Sequence, residues 1–69
     1  MNLSQLNALA VEFNINPSDI SFYGEHDVVY LDVPEDSLPD WSAMTDEERE
    51  AFTDTYDLLK VEGYWGFFT

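Results

Sequence analysis

Residues 45–69 read TDEEREAFTDTYDLLKVEGYWGFFT, and the fold turns on where this stretch changes from helix to strand. Thr45 followed by Asp46, Glu47 and Glu48 is a helix start: the threonine hydroxyl accepts from the Glu48 backbone while the glutamate reaches back, and the carboxylates favour the positive end of the helix dipole. Read from there, the helix runs over about 46–61, Gly63 stops it, and Tyr64-Trp65-Gly66-Phe67-Phe68-Thr69 forms a terminal strand. At ~100° per residue, Phe52, Tyr56 and Leu59 cluster on one side with Ala51 and Thr55 beside them. Asp46, Glu47, Glu50, Asp54 and Asp57 fall on the opposite side, with Arg49 and Lys60 on one flank.

Upstream, Leu3, Leu6, Leu9, Ala10 and Phe13 recur at three- and four-residue spacing, which predicts a helix over 3–14, capped by Asn2 with Gln5 in the reciprocal position and ended by Asn14 and Pro17. Ile20 and Phe22 then alternate with Ser21 and Tyr23, and Val28–Val33 is rich in β-branched and aromatic residues, so 19–24 and 27–33 read as a hairpin. In its second strand Val29, Leu31 and Val33 are read on a dry face, and Asp27, Val28, Tyr30 and Asp32 on a partly wet one. Pro34 and Pro39 bracket an acidic loop that ends near Trp41. The order α-β-β-α-β predicts a single α+β domain over residues 1–69, a small two-layer sandwich with two helices on one face of a three-stranded antiparallel sheet.

The chain has 69 residues, fifteen of them acidic, against two basic residues, Arg49 and Lys60, for a formal charge of −13. Such acidity signals disorder only where apolar residues are scarce, and here 45% are hydrophobic and 16% aromatic. Without cysteine there is neither a disulfide framework nor a thiolate nucleophile or metal ligand. The N-terminus lacks the positive region of a signal peptide, and no apolar run approaches the ~20 residues that cross a bilayer. A cytoplasmic location is therefore expected. Nucleic acid and anionic membrane would both be repelled, so neither is expected as a direct partner.

Catalysis has little to work with. The motifs GxSxG, GxxxxGK[ST], HExxH and GxGxxG are missing, and His26 lies in a polar turn between Glu25 and Asp27. A chain this short leaves little room for the dry pocket that would split the pKa values of paired carboxylates, so an enzyme is not expected. The loop from Asp32 to Asp40 offers oxygens for weak Ca²⁺ binding but lacks the alternate carboxylates and central glycine of an EF-hand, and no metal or cofactor is expected.

What remains is the acidity. Residues 46, 50 and 54 are spaced by about 6 Å along a helix at ~1.5 Å per residue. That is close to a separation of about 7 Å between successive phosphates of a strand whose axial rise is ~3.4 Å. A solvated helix face would look the same. The acids continue beyond the helix, however, through Glu25, Asp27, Asp32, Glu35, Asp36 and Asp40, with no Lys or Arg before position 49. The expected partner-binding residues are Asp32, Glu35, Asp36, Asp46, Glu47, Glu50, Asp54 and Asp57.

In size and charge over its whole length, the chain resembles the small phage-encoded inhibitors that mimic DNA, the anti-CRISPR and anti-restriction proteins, a functional class with no common fold or motif. The resemblance implies an inhibitor, monomeric or homodimeric, whose partner is a positively charged nucleic-acid-binding protein of the host, such as a CRISPR effector or restriction enzyme. The alternative is an acidic adaptor or regulatory subunit that docks through its aromatic C-terminal strand.

Overall fold

The computed structural model describes residues 1–69. Helix α1 spans Leu3–Glu12, strands β1 and β2 span Ser21–Glu25 and Val28–Asp32, helix α2 spans Asp46–Tyr56, and strands β3 and β4 span Leu59–Val61 and Tyr64–Phe68. The fold is α+β, with two helices and an antiparallel sheet. The sheet has four strands, in the order β1-β2-β4-β3, rather than the expected three.

Both helix starts are built as their sequences imply. The Asn2 carboxamide accepts from Gln5 N at 2.9 Å and Gln5 Oε1 accepts from Asn2 N at 2.8 Å, while Thr45 Oγ1 and Glu48 exchange the same pair of bonds at 3.2 and 3.1 Å. The helix ends differ from expectation. Helix α1 stops at Glu12, two residues early, because Asn14 takes a left-handed conformation at φ 52°. Asn14 N then donates to Val11 O and Ile15 N to Ala10 O, the paired closure that satisfies the last carbonyls and turns Ile15 into the core.

The larger departure lies in residues 57–63. Helix α2 ends at Tyr56, not near 61, because Asp57 sits in the left-handed region at φ 54° with its N–H on Thr53 O. Leu58 then drops fully into the core and Thr53 Oγ1 donates to its carbonyl at 3.1 Å. Leu59–Val61 leaves as a strand, and Val61 pairs with Tyr64 across the two-residue turn Glu62-Gly63. Both turn residues have positive φ, 51° and 85°, as a turn matching the right-handed twist of a hairpin requires. Gly63 is thus a hairpin residue rather than a helix stop.

Helices α1 and α2 pack against each other and cover one face of the sheet. Leu9, Ala10, Ile15, Ile20, Leu31, Phe52, Leu58 and Trp65 form the buried core. Phe52 stands at its centre, with ring centroids 5.0 Å from Tyr56, 5.3 Å from Trp65, 6.0 Å from Phe13 and 6.3 Å from Trp41. Leu3, expected on the core stripe, is 71% exposed. It lies in the first turn, about 70° from the middle of the stripe that Leu6, Leu9, Ala10 and Phe13 form at ~100° per residue.

Strand alternation sorts the sheet. Leu31, Trp65 and Phe67 face the helices, and Tyr23, Tyr30, Tyr64 and Phe68 face away on a side no element covers. Leu59, expected beside Phe52 in the core, falls on this outer side through its pairing with Gly66. Gly66 is required there: a Cβ would lie 3.1 Å from the Val29 carbonyl oxygen and 3.2 Å from a Tyr30 ring carbon. Its missing side chain is the space Tyr30 occupies.

Candidate functional site

The eight acidic residues singled out from the sequence fall into four places. Asp46, Glu47, Glu50 and Asp54 are exposed on α2, and the row Asp46, Glu50, Asp54 lies entirely within the helix. Glu35 and Asp36 line a cleft of about 760 Å³ between the 33–42 loop and the β3–β4 hairpin, together with Asp40, Trp41, Lys60 and Trp65. Asp32, at the end of β2, shares the outer sheet face with Tyr30, on the opposite side from the helices. Asp57 is the left-handed residue closing α2, and its carboxylate pairs with the N-terminal ammonium of Met1. The structure therefore groups the four helix acids, sets the two loop acids at a cleft, pairs Asp57 with the N-terminus at the end of α2, and puts Asp32 on the far face of the sheet.

Other acids have local structural work. Asp40 Oδ1 accepts from Ser42 N at 3.1 Å and from Ser42 Oγ at 2.7 Å, capping the 3-10 turn Trp41–Ala43 that seats Trp41 against Phe52 and Trp65. The Thr45 backbone and hydroxyl hydrogen bonds hold the Glu48 carboxyl below its usual range. This cap is stabilising at neutral pH and is lost as the pH falls through the lowered pKa.

Of the two cations expected on one flank of the acidic face, Arg49 stays on α2 and Lys60 leaves for β3. Arg49 turns back: its Nε donates to the Trp41 carbonyl at 2.9 Å and its guanidinium lies 5.5 Å from the Trp41 ring centroid. It keeps a long 3.8 Å contact to Asp46. Lys60, on β3, holds its ammonium 4.7 Å from the Trp65 ring centroid and donates to Gly63 O at 3.5 Å. Trp41 and Trp65 themselves meet edge to face at 5.6 Å. Both positive charges are thus taken up by the indole pair, and Glu47, Glu50 and Asp54 have no basic side chain within ion-pair distance.

Unpaired acids at this density repel one another, and salt screens them. Raising monovalent salt from about 10 mM to 0.15 M shortens the screening length from about 30 Å to 8 Å. The thermal midpoint should rise, by about 4–8 °C for each kcal/mol of repulsion removed in a chain this size. A midpoint that falls on salt addition would show that some attractive pairing outweighs the repulsion.

The outer sheet face holds a cluster that reasoning from the sequence did not single out. Tyr23 and Tyr30, opposite one another in the β1–β2 register, stack at 5.4 Å, and Tyr64 meets Tyr30 edge to face at 6.1 Å. The signal was present in part: with a two-residue turn at His26-Asp27, Tyr23 must face Tyr30. Placing Tyr64 beside them required β4 at the sheet's centre, which no local pattern states. Burial among these rings, with Glu62 and Glu25 nearby, raises the Tyr30 hydroxyl above its ordinary pKa. A raised pKa in the folded state means that the associated stability is full below about pH 10 and is lost as pH rises through the folded value. Denaturant melts over about pH 9–11 should show a smaller alkaline loss for Tyr30→Phe than for the parent protein, and equal losses would separate Tyr30 from the alkaline transition.

No helix is long and apolar enough to cross a membrane, and no three of the His, Asp and Glu side chains converge as a metal ion would require. Comparisons of the chain with protein-family models, with curated proteins and with solved structures found no match.

Proposed function

We propose that this protein is an inhibitor that occupies a positively charged nucleic-acid-binding site of another protein, with the carboxylates of α2 standing in for phosphates. The observation that carries this reading is that Lys60 lies against Trp65 and Arg49 against Trp41 with one long contact to Asp46, so that Glu47, Glu50 and Asp54 are exposed without a counter-charge. A surface serving solubility alone needs a net charge of only about 2–8 with both signs interspersed, well short of −13. A surface meant for a basic channel gains encounter rate and the release of the channel's bound anions. Size and charge together point to a host defence protein as the target, a CRISPR effector or a restriction enzyme, encountered in the host cytoplasm.

The test reverses Glu47, Glu50 and Asp54 together to lysine. All three are exposed, so folding should survive a six-unit change in charge. Asp57 is left intact because it closes the helix. Proteins captured from a bacterial lysate at low salt by the parent chain should bind DNA, be displaced by duplex DNA and by salt, and lose at least tenfold in affinity for the reversed variant, about 1.4 kcal/mol. A captured partner that binds DNA and this protein at once, with affinity indifferent to the reversal, would refute the reading.

A second reading, an adaptor that docks through its C-terminal strand, is favoured by the exposure of Tyr64 and Phe68, 60% and 59%, on the outer sheet face. That surface lies across the sheet from α2, so the two readings use different sides of the molecule.

A further inference from the structure

We propose that the outer face of the sheet is a docking surface for an arginine-bearing segment of a protein, whose guanidinium groups stack on Tyr64 and Tyr23 within reach of Glu62 and Glu25. The inference rests on the second reading above for its surface, and adds the chemistry of the occupant.

Three features select that occupant. The face is aromatic and open: Tyr23 is 46% exposed and Tyr64 60%, while Tyr30 between them is buried, stacked on Tyr23, edge to face with Tyr64 and seated over Gly66, so the three rings form one contiguous aromatic platform. Its charge is of one sign. Glu25 and Asp32 share the face by strand alternation and Glu62 lies in the adjoining turn, whereas Lys60, opposite Trp65 in the register, points to the helix side. The acids also stand on both sides of the platform, Glu25 at the end of edge strand β1 and Glu62 beside edge strand β3. Burial first, and then the charges of Glu62 and Glu25, raise the Tyr30 hydroxyl above its ordinary pKa, in keeping with acids placed on either side of it.

A purely apolar partner would have to strip water from those carboxylates with nothing to pair them. A second copy of the chain would bring another −13 against the same acids. A guanidinium suits both parts of the site, because its plane stacks on phenol rings while its edge donates to carboxylates. The more strongly hydrated, point-like lysine ammonium does this less well.

The probes are three short peptides of alternating glycine with arginine, lysine or citrulline, the last being the neutral isostere of arginine, titrated into the full-length protein at low salt and followed by NMR chemical shifts. The arginine peptide should shift the signals of Tyr23, Tyr30, Tyr64 and Glu62, bind at least about threefold tighter than the lysine peptide, and leave the citrulline peptide without measurable binding. Tyr64→Leu, at an exposed position, should bring arginine affinity down to the lysine level with the thermal midpoint kept, and Glu62→Gln should weaken both cationic peptides. Shifts confined to α2, with arginine and lysine equal, would overturn the proposal and leave phosphate mimicry standing. Equal binding of citrulline and arginine on the sheet face would overturn the cationic occupant while keeping the docking surface. Concentration-dependent shifts on this face without peptide would overturn it in favour of a second copy.

Discussion

Phe52→Ala is expected to destabilise the protein by about 3–5 kcal/mol, and at this chain length that is enough to leave little folded material at room temperature. Phe52 is buried, and its ring meets Phe13, Tyr56, Trp41 and Trp65 at once. Removing it opens a void where α1, α2, the 3-10 turn and β4 converge, so no single element can close the gap by moving. Trp41 and Trp65 would lose their shared wall as well, and with it the support for both cation contacts. The check is a chemical melt beside Leu3→Ala, whose parent residue is 71% exposed and whose loss should be within about 0.5 kcal/mol. Similar melts for the two variants would mean that Phe52 is not the centre of the core.

Leu58→Ala and Leu59→Ala should differ sharply although the residues are neighbours. Leu58 is fully buried, so its truncation should cost about 2–5 kcal/mol. Leu59 is partly exposed on the outer sheet face beside Gly66, and its truncation should cost clearly less, about 1 kcal/mol. A helix continuing through these positions reverses the order, because its apolar side runs Phe52, Tyr56 and Leu59. Denaturant midpoints of the two variants therefore decide between a long helix and a short helix followed by a hairpin. A larger loss for Leu59→Ala would restore the three-stranded sheet.

Features of this protein legible in the sequence are those whose partners lie within a few residues. Asn2 with Gln5 and Thr45 with Glu48 are reciprocal caps three residues apart, so the donors and acceptors that start each helix are written side by side. The β1–β2 hairpin is also local, with a two-residue turn and strands that alternate on both sides. The acidic row of α2 follows from helical spacing alone. Where the same residues satisfy two periods, the local pattern is silent. Leu58-Leu59-Lys60-Val61 fits one more turn of helix or a short strand, and a glycine two residues later serves as a helix stop or a hairpin turn with equal ease.

The choice was made by tertiary contact. Burying Leu58 gains more than leaving Leu59 on an isolated helix face, and a three-residue strand survives only because β4 is already held by β2 and offers it a hydrogen-bonding edge. The same non-local placement put β4 at the centre of the sheet, gathered Tyr23, Tyr30 and Tyr64 from three strands onto one face, and brought Trp41 and Trp65 together as an indole pair against which both cations lie. The sequence by itself determined the charge, the helix starts, the first hairpin and the acidic row, since these depend on composition or on bonds spanning three or four residues. Tertiary structure alone decided the fourth strand, the division of the acids among separate surfaces and the aromatic face, because each depends on which distant segments share a sheet and no local period encodes that.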